Sequence, residues 1–163
     1  MQIEPWDIVR ALVLLIVANG APVMGKLFFG DRLADALDGG RRLPDGRPIL
    51  GPTKTIRGVL LSLAATAVAA ALLGVAWEDG MLIGLLAMVG DLLSSLTKRR
   101  LGIPPSGRAL VLDQIPESLL PLLVFRGVLG LSYLELVLAV AAFFVFDLLL
   151  SRWVRQSLSE QSP

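Results

Sequence analysis

Neither cysteine nor histidine occurs anywhere in this 163-residue chain. Their absence removes thiol catalysis, disulfides, histidine-ligated zinc, phosphohistidine and Ser-His-Asp chemistry. Any metal must then be held by carboxylate, amide or hydroxyl oxygens, which favours a hard ion such as Mg²⁺. Net charge is nearly absent too, at +1, and no nucleic-acid partner is expected. Lysine is scarce. Of 15 basic residues only Lys26, Lys54 and Lys98 are lysines, so arginine is the default cation of this chain. Internal repeats and low-complexity tracts are missing as well. The first apolar segment lacks a basic n-region and a convincing small-x-small cleavage site, and it reads as a retained helix.

What the chain has in excess is apolar sequence, 55% of residues with a mean hydropathy of +0.72. That is too apolar for a soluble domain of this size, and the apolar residues come in long blocks. Five can be counted, at about 6–29, 58–77, 81–97, 115–131 and 134–153. The first is interrupted near Gly20-Ala21-Pro22. The fourth is the weakest, containing Pro116, Pro121 and Arg126, and reads as a bent or partly re-entrant helix. The connections after blocks one and three are rich in Arg and Lys. Those at Glu78-Asp79-Gly80 and between blocks four and five carry none. The positive-inside rule then puts the N-terminus outside, with both long loops and the tail in the cytoplasm. Arg126 would lie toward the outer leaflet, able to snorkel or to meet Glu135.

On that topology Asn19, Asp91 and Asp147 share one depth, in the half of each helix nearer the cytoplasm. Ionisable groups inside a membrane segment are functional candidates by default. In Gly90-Asp91-Leu92-Leu93-Ser94-Ser95-Leu96-Thr97-Lys98-Arg99-Arg100, helical spacing puts Asp91, Ser94, Ser95 and Lys98 on one face. A carboxylate at that depth costs about 2 to 3 kcal/mol unless paired, hydrated or metal-bound. It is therefore either one half of a structural pair with Lys98 or a nearby arginine, or part of a polar pocket.

The first loop contains Gly51-Pro52-Thr53-Lys54-Thr55-Ile56-Arg57-Gly58. Its glycine and proline allow close backbone approach. Lys54, Thr55 and Arg57 place a point charge, a hydroxyl and a fork of donors just before a helix start, a plausible cradle for phosphate oxygens. The same residues would also serve as a plain positive-inside anchor on lipid phosphates. Asp31, Asp35 and Asp38 read as solvated or capping residues. Asp113 opens block four and needs no role beyond an N-cap. Yet Asp113, Gln114 and Glu117 lie on one side of that helix start, and two helices supplying carboxylates beside substrate phosphates commonly hold Mg²⁺.

Gly90-Asp91, Ser95-x-x-Lys98-Arg99-Arg100 and Asp113-Gln114 together resemble the signature of the CDP-archaeol synthases, the archaeal-type branch of the phosphatidate cytidylyltransferases, with bacterial relatives. Lys54-Thr55-x-Arg57-Gly58 is similar to that family's Lys-Thr-x-Arg-Gly loop, and Asn19-x-x-Pro22 to its first-helix motif. The resemblance implies Mg²⁺-dependent transfer of a cytidylyl group from CTP to a membrane lipid phosphate, with release of pyrophosphate. It implies Asp91, Asp113 and Glu117 at the metal, with Asp91, Lys98 and Asp113 catalytic. Asn19, Lys54, Thr55, Arg57, Ser95, Arg99 and Gln114 would bind substrate. Where the family has a second aspartate after Asp-Gln, this chain has Glu117, preceded by Pro116. The same charges would also suit a CTP-dependent lipid kinase, or a lipid-binding protein without activity.

The expected fold is thus an all-α integral membrane protein, one domain over 1–163. Five transmembrane helices would carry two cytoplasmic loops over an inner-leaflet cavity. Pro116 is expected in the first turn of its helix, where a missing N–H is tolerated.

Overall fold

The structure, a computed structural model, describes residues 3–104, 107 and 109–159, with Leu110 and 151–159 as backbone only. Arg108 and the side chains of Arg152 and Arg155, which entered the charge argument, lie outside the described residues. Five helices run in sequence: α1 Pro5–Phe29, α2 Ile56–Leu72, α3 Trp77–Arg100, α4 Leu110–Val124 and α5 Tyr133–Ser159. Three of them, Pro5–Phe29, Trp77–Arg100 and the Tyr133–Leu150 part of α5, are long and apolar enough to cross a membrane. At 17 and 15 residues, α2 and α4 are shorter than the roughly 20 residues that cross about 30 Å untilted.

Helix α1 is not broken at Gly20-Ala21-Pro22, as its sequence suggested, but continues through Pro22. Proline has no N–H to give the carbonyl four residues earlier, here Ala18. Ser62 of α2 donates its hydroxyl to that carbonyl at 2.8 Å. A neighbouring helix thus supplies the missing bond, which is how proline is tolerated in lipid. The α2–α3 contact is built on small residues. A Cβ at Gly80 would lie 2.7 Å from the Thr66 carbonyl, and one at Gly84 3.0 Å from Thr66 Oγ1. Buried Thr66 keeps its own hydroxyl on the Ser62 carbonyl at 2.7 Å. Such surfaces let helices approach closely where lipid gives no hydrophobic drive between them.

Consecutive helices alternate in direction, so the large apolar side chains collect at one end of the bundle. Leu14 and Leu15 early in α1 meet Ile83 early in α3, Leu122 late in α4, and Leu136 and Phe143 early in α5. The opposite end carries the loop 30–55 and the segment 101–104 that follows α3. Near the apolar end, Glu135 accepts from the amides of Glu4 and Ser132 and from the Ser132 hydroxyl. Of the two roles open to Arg126, meeting Glu135 is not the one taken: it lies 4.3 Å from the Tyr133 ring centroid and donates to the Leu131 carbonyl. Glu135 already takes three donors from Glu4 and Ser132, and the guanidinium lies on the aromatic face instead.

Helix α4 differs most from its sequence reading. It starts at Leu110, five residues earlier than block four, and ends at Val124. Pro116 is therefore well inside the helix rather than in its first turn. Ala109, not Asp113, is the N-cap, and Asp113 lies in the first turn, its Oδ2 accepting from the Ala109 amide at 3.1 Å.

Candidate functional site

The site begins where α3 and α4 cross. A Cβ on Gly90 would lie 2.6 Å from the Glu117 amide nitrogen and closer still to the Pro116 carbonyl. Only glycine lets the two backbones touch there. The contact brings Asp91 of α3 and Glu117 of α4 onto the wall of one cavity. Ser94 faces the same crossing, its hydroxyl donating to the Gly90 carbonyl at 2.8 Å and lying 3.4 Å from the Asp113 carbonyl oxygen.

That cavity has a volume of about 600 Å³ and lies at the loop end of the bundle. Residues from all five helices and the first loop line it, among them Asn19, Lys54, Thr55, Arg57, Asp91 and Glu117. Its size falls in the range of small-molecule sites, roughly 300 to 1,000 Å³. Its wall combines carboxylates and cations with the apolar Val23, Val59, Met88 and Leu92.

The cations are differently engaged. Lys54 donates to both Asp91 oxygens at 2.6 Å, each side chain about one-fifth exposed. Asp91 is thus paired neither with Lys98 nor with an arginine. Its partner comes from the first loop. Thr55 is the N-cap of α2 and accepts from the Gly58 amide at 3.1 Å, which leaves its own proton free for a ligand. Arg57 donates to the carbonyls of Gly30 and Arg32 and so holds the start of the loop. Asn19 gives one amide proton to the Leu15 carbonyl at 3.0 Å and keeps the rest of its side chain at the cavity.

The loop itself is held by Asp38, which its sequence had suggested was solvated or capping. Its carboxylate accepts from the amides of Gly40, Leu50 and Gly51 at 2.9 to 3.2 Å. Burial works against ionisation of Asp38, yet these three amides outweigh it and hold the carboxyl below its ordinary value. Arg47 donates to the Arg100 carbonyl at 2.8 Å, and Arg100 pairs with Asp45 at 2.9 Å. The first loop is thereby fastened to the C-terminal end of α3, where cations suit the exposed carbonyls.

The other expected residues form a second cluster beside the cavity. Lys98 pairs with Asp113 at 2.6 Å and reaches the Gly107 carbonyl at 3.3 Å. Ser95 and Arg99 are buried. Nε and Nη1 of Arg99 meet no hydrogen-bond acceptor among the described residues. Gln114, also buried, donates to Asp147 of α5. None of these five residues lines the cavity. Among the described residues, no three acidic side chains are grouped as a ready-made metal cage. Asp91 and Glu117 share the cavity wall, whereas Asp113 pairs with Lys98 in the second cluster. Three charged cavity residues were not among the expected site members: Lys26, Asp31 and Asp147. Asp147 did carry a signal, its shared depth with Asn19 and Asp91.

Comparison with known proteins bears on this arrangement. A family model described as CarS-like, CDP-archaeol synthase, matches residues 76–155. The CDP-archaeol synthase of Hyperthermus butylicus is 35% identical over 119 residues, 69% of this chain and 68% of that protein. That of Methanopyrus kandleri is 36% identical over 127 residues, 74% of this chain and 72% of that protein. A solved structure described as an intramembrane enzyme for archaeal membrane lipids biosynthesis superposes with a TM-score of 0.75 at 33% identity. It covers 88% of this chain and 91% of its own. By these relatives the chain belongs to the CDP-archaeol synthases, a family of membrane-embedded cytidylyltransferases that use CTP.

Proposed function

We propose that this chain transfers the cytidylyl group of CTP to the phosphate of a membrane lipid, giving a CDP-lipid and pyrophosphate. The observation that carries the reading is the single cavity joining Asn19, the Lys54-Thr55-x-Arg57-Gly58 loop, Asp91 and Glu117. A phosphate oxygen of the lipid forms a bond to the α-phosphorus of CTP. The bond from that phosphorus to the bridging oxygen breaks, and pyrophosphate leaves with the electron pair. The attacking phosphate oxygen is already ionised, so no nucleophile or general base of the protein is needed. Catalysis is then positioning and charge neutralisation.

The donor set suits Mg²⁺, since every candidate ligand is a carboxylate oxygen and the cavity is wide enough for a phosphate-bearing ligand. Mg²⁺ generally takes one or two carboxylates and completes its shell with water and substrate phosphates, so a three-carboxylate cage is not required. Asp91 and Glu117 would hold it, with Asp147 on the same wall, and the ion would neutralise charge on the phosphates. Lys54, Arg57 and the Thr55 hydroxyl bind phosphate oxygens, and Asn19 orients the ligand. Asp113 and Lys98 act as a positioning pair that fixes the start of α4 against the end of α3. Gln114 orients Asp147. Arg99 and Ser95 stand behind them.

Five membrane crossings, with the N-terminus outside and the cavity toward the cytoplasm, complete the reading. They rest on the Lys and Arg bias of the loops at the cavity end. The short α2 and α4 fit a locally thinner or polar-lined path through the bundle.

Mg²⁺ titration of CTP turnover in Asp91→Asn and Glu117→Gln tests the metal assignment. Asp91→Asn should abolish turnover, and Glu117→Gln should lower it at least tenfold, about 1.4 kcal/mol of transition-state stabilisation. Variants that titrate like the wild type would remove both carboxylates from the metal.

A further inference from the structure

Three cations line the cavity, Lys26, Lys54 and Arg57, and two of them already have partners. Lys54 is held on Asp91, and the Arg57 fork rests on the carbonyls of Gly30 and Arg32, 6.0 Å from the Phe29 ring centroid. Lys26, in the last turn of α1, makes no ion pair and no side-chain hydrogen bond among the described residues. Asp31 lines the same cavity but is not paired with it. A cation at a helix C-terminus has the bland role of matching the exposed carbonyls. That role does not account for a second feature, which is where Lys26 stands.

Around it α1 presents an apolar surface. Val23, Leu27 and Phe28 are 59%, 73% and 76% exposed. On the α2 side this surface is closed, because Gly25 packs on Leu61 and Pro22 on Gly58. On the α5 side it is not. Among the described side chains of α5, Phe143 is the last fully buried one; Phe144 and Leu148 are half-buried, Phe146 and Leu150 are substantially exposed, and Asp147 lines the cavity. Val23 and Lys26 on α1 and Asp147 on α5 thus flank a seam with apolar surface outside and a free ammonium just within. That is the arrangement a lipid phosphate requires, with hydrocarbon to one side and a compact cation at the headgroup.

We propose that Lys26 binds the phosphate of the lipid acceptor, whose chains leave through the seam between α1 and α5, while Lys54 and Arg57 serve the nucleotide. This rests on the cytidylyl-transfer reading for its chemistry, but the binding step can be measured without it. Lys26→Gln should raise KM for lipid phosphate roughly tenfold and leave KM for CTP within about twofold, and Lys26→Arg should restore it. The melting temperature should not move, since Lys26 is exposed. In a parallel arm without CTP, wild type and Lys26→Gln are titrated with a dialkyl and a diacyl glycerol phosphate. Each is compared with the same lipid lacking phosphate. Lys26-dependent preference for the phosphorylated lipid supports the assignment, even if the wild type turns nothing over, in which case only the cytidylyl-transfer reading fails. Equal binding by both proteins, or a rise in KM for CTP instead of lipid, overturns it.

Discussion

Gly90→Ala is the smallest change that should separate the two halves of the site. The added Cβ would fall 2.6 Å from the Glu117 nitrogen and closer to the Pro116 carbonyl, both backbone atoms that cannot swing aside. Ordinary contact needs about 3.5 Å, so α3 and α4 must part by about 1 Å at their crossing. Overpacking of this kind costs about 1 to 3 kcal/mol. A 1 Å misplacement of reacting groups costs on the order of 100-fold in rate. Turnover should therefore fall much further than stability does, because Asp91 and Glu117 are held in register by that one contact. Gly20→Ala is the internal control. It too is within a helix, has nothing within 4 Å of its Cβ, and should be neutral or slightly stabilising, by up to about 1 kcal/mol. Thermal unfolding in detergent and steady-state CTP turnover, run on both variants, make the comparison. Wild-type turnover in Gly90→Ala would refute the argument that this crossing sets the site.

Two further outcomes follow from the first loop. Removing one member of a fully buried ion pair costs about 3 to 5 kcal/mol; the partial exposure of Lys54 and Asp91 reduces this to about 1 to 3 kcal/mol for Lys54→Met. Lys54→Met with Asp91→Leu should cost less than the sum of the single changes, and strict additivity in denaturant unfolding would contradict the pairing. Asp38 has a folded-state pKa below its unfolded value, so its contribution is complete above the unfolded value and is lost as pH falls through the folded one. Proteolysis of loop 30–55 should therefore accelerate below about pH 4 in the wild type. Asp38→Asn should be cleaved readily at neutral pH, with little further change on acidification.

The helical class, the five elements and the clustering of polar motifs at one end were legible because apolar blocks and basic loops are long-range averages. No single contact had to be inferred. Pairings were not legible. Asp91 and Lys98 share a helix face by spacing, yet each finds a partner elsewhere, Lys54 and Asp113, because loop folding and the α3–α4 crossing decide which charges meet. The start of α4 was misplaced since Ala109 is no favoured cap and Pro116 invited a boundary that the helix does not respect. Asp38 was read only as solvated or capping, for the opposite reason. Its role is to gather amides from Gly40, Leu50 and Gly51, and nothing in an Asp-Gly-Gly string announces the last two.

The central claim is the identity of the group transferred, and positional labelling of CTP tests it most directly. Purified protein with Mg²⁺ and a lipid phosphate is given CTP labelled at either the α- or the γ-phosphorus. The account predicts α-label in the lipid fraction and γ-label in released pyrophosphate, with both lost in Asp91→Asn. Label from the γ-phosphorus in the lipid, with CDP as the soluble product, would identify a kinase and contradict it.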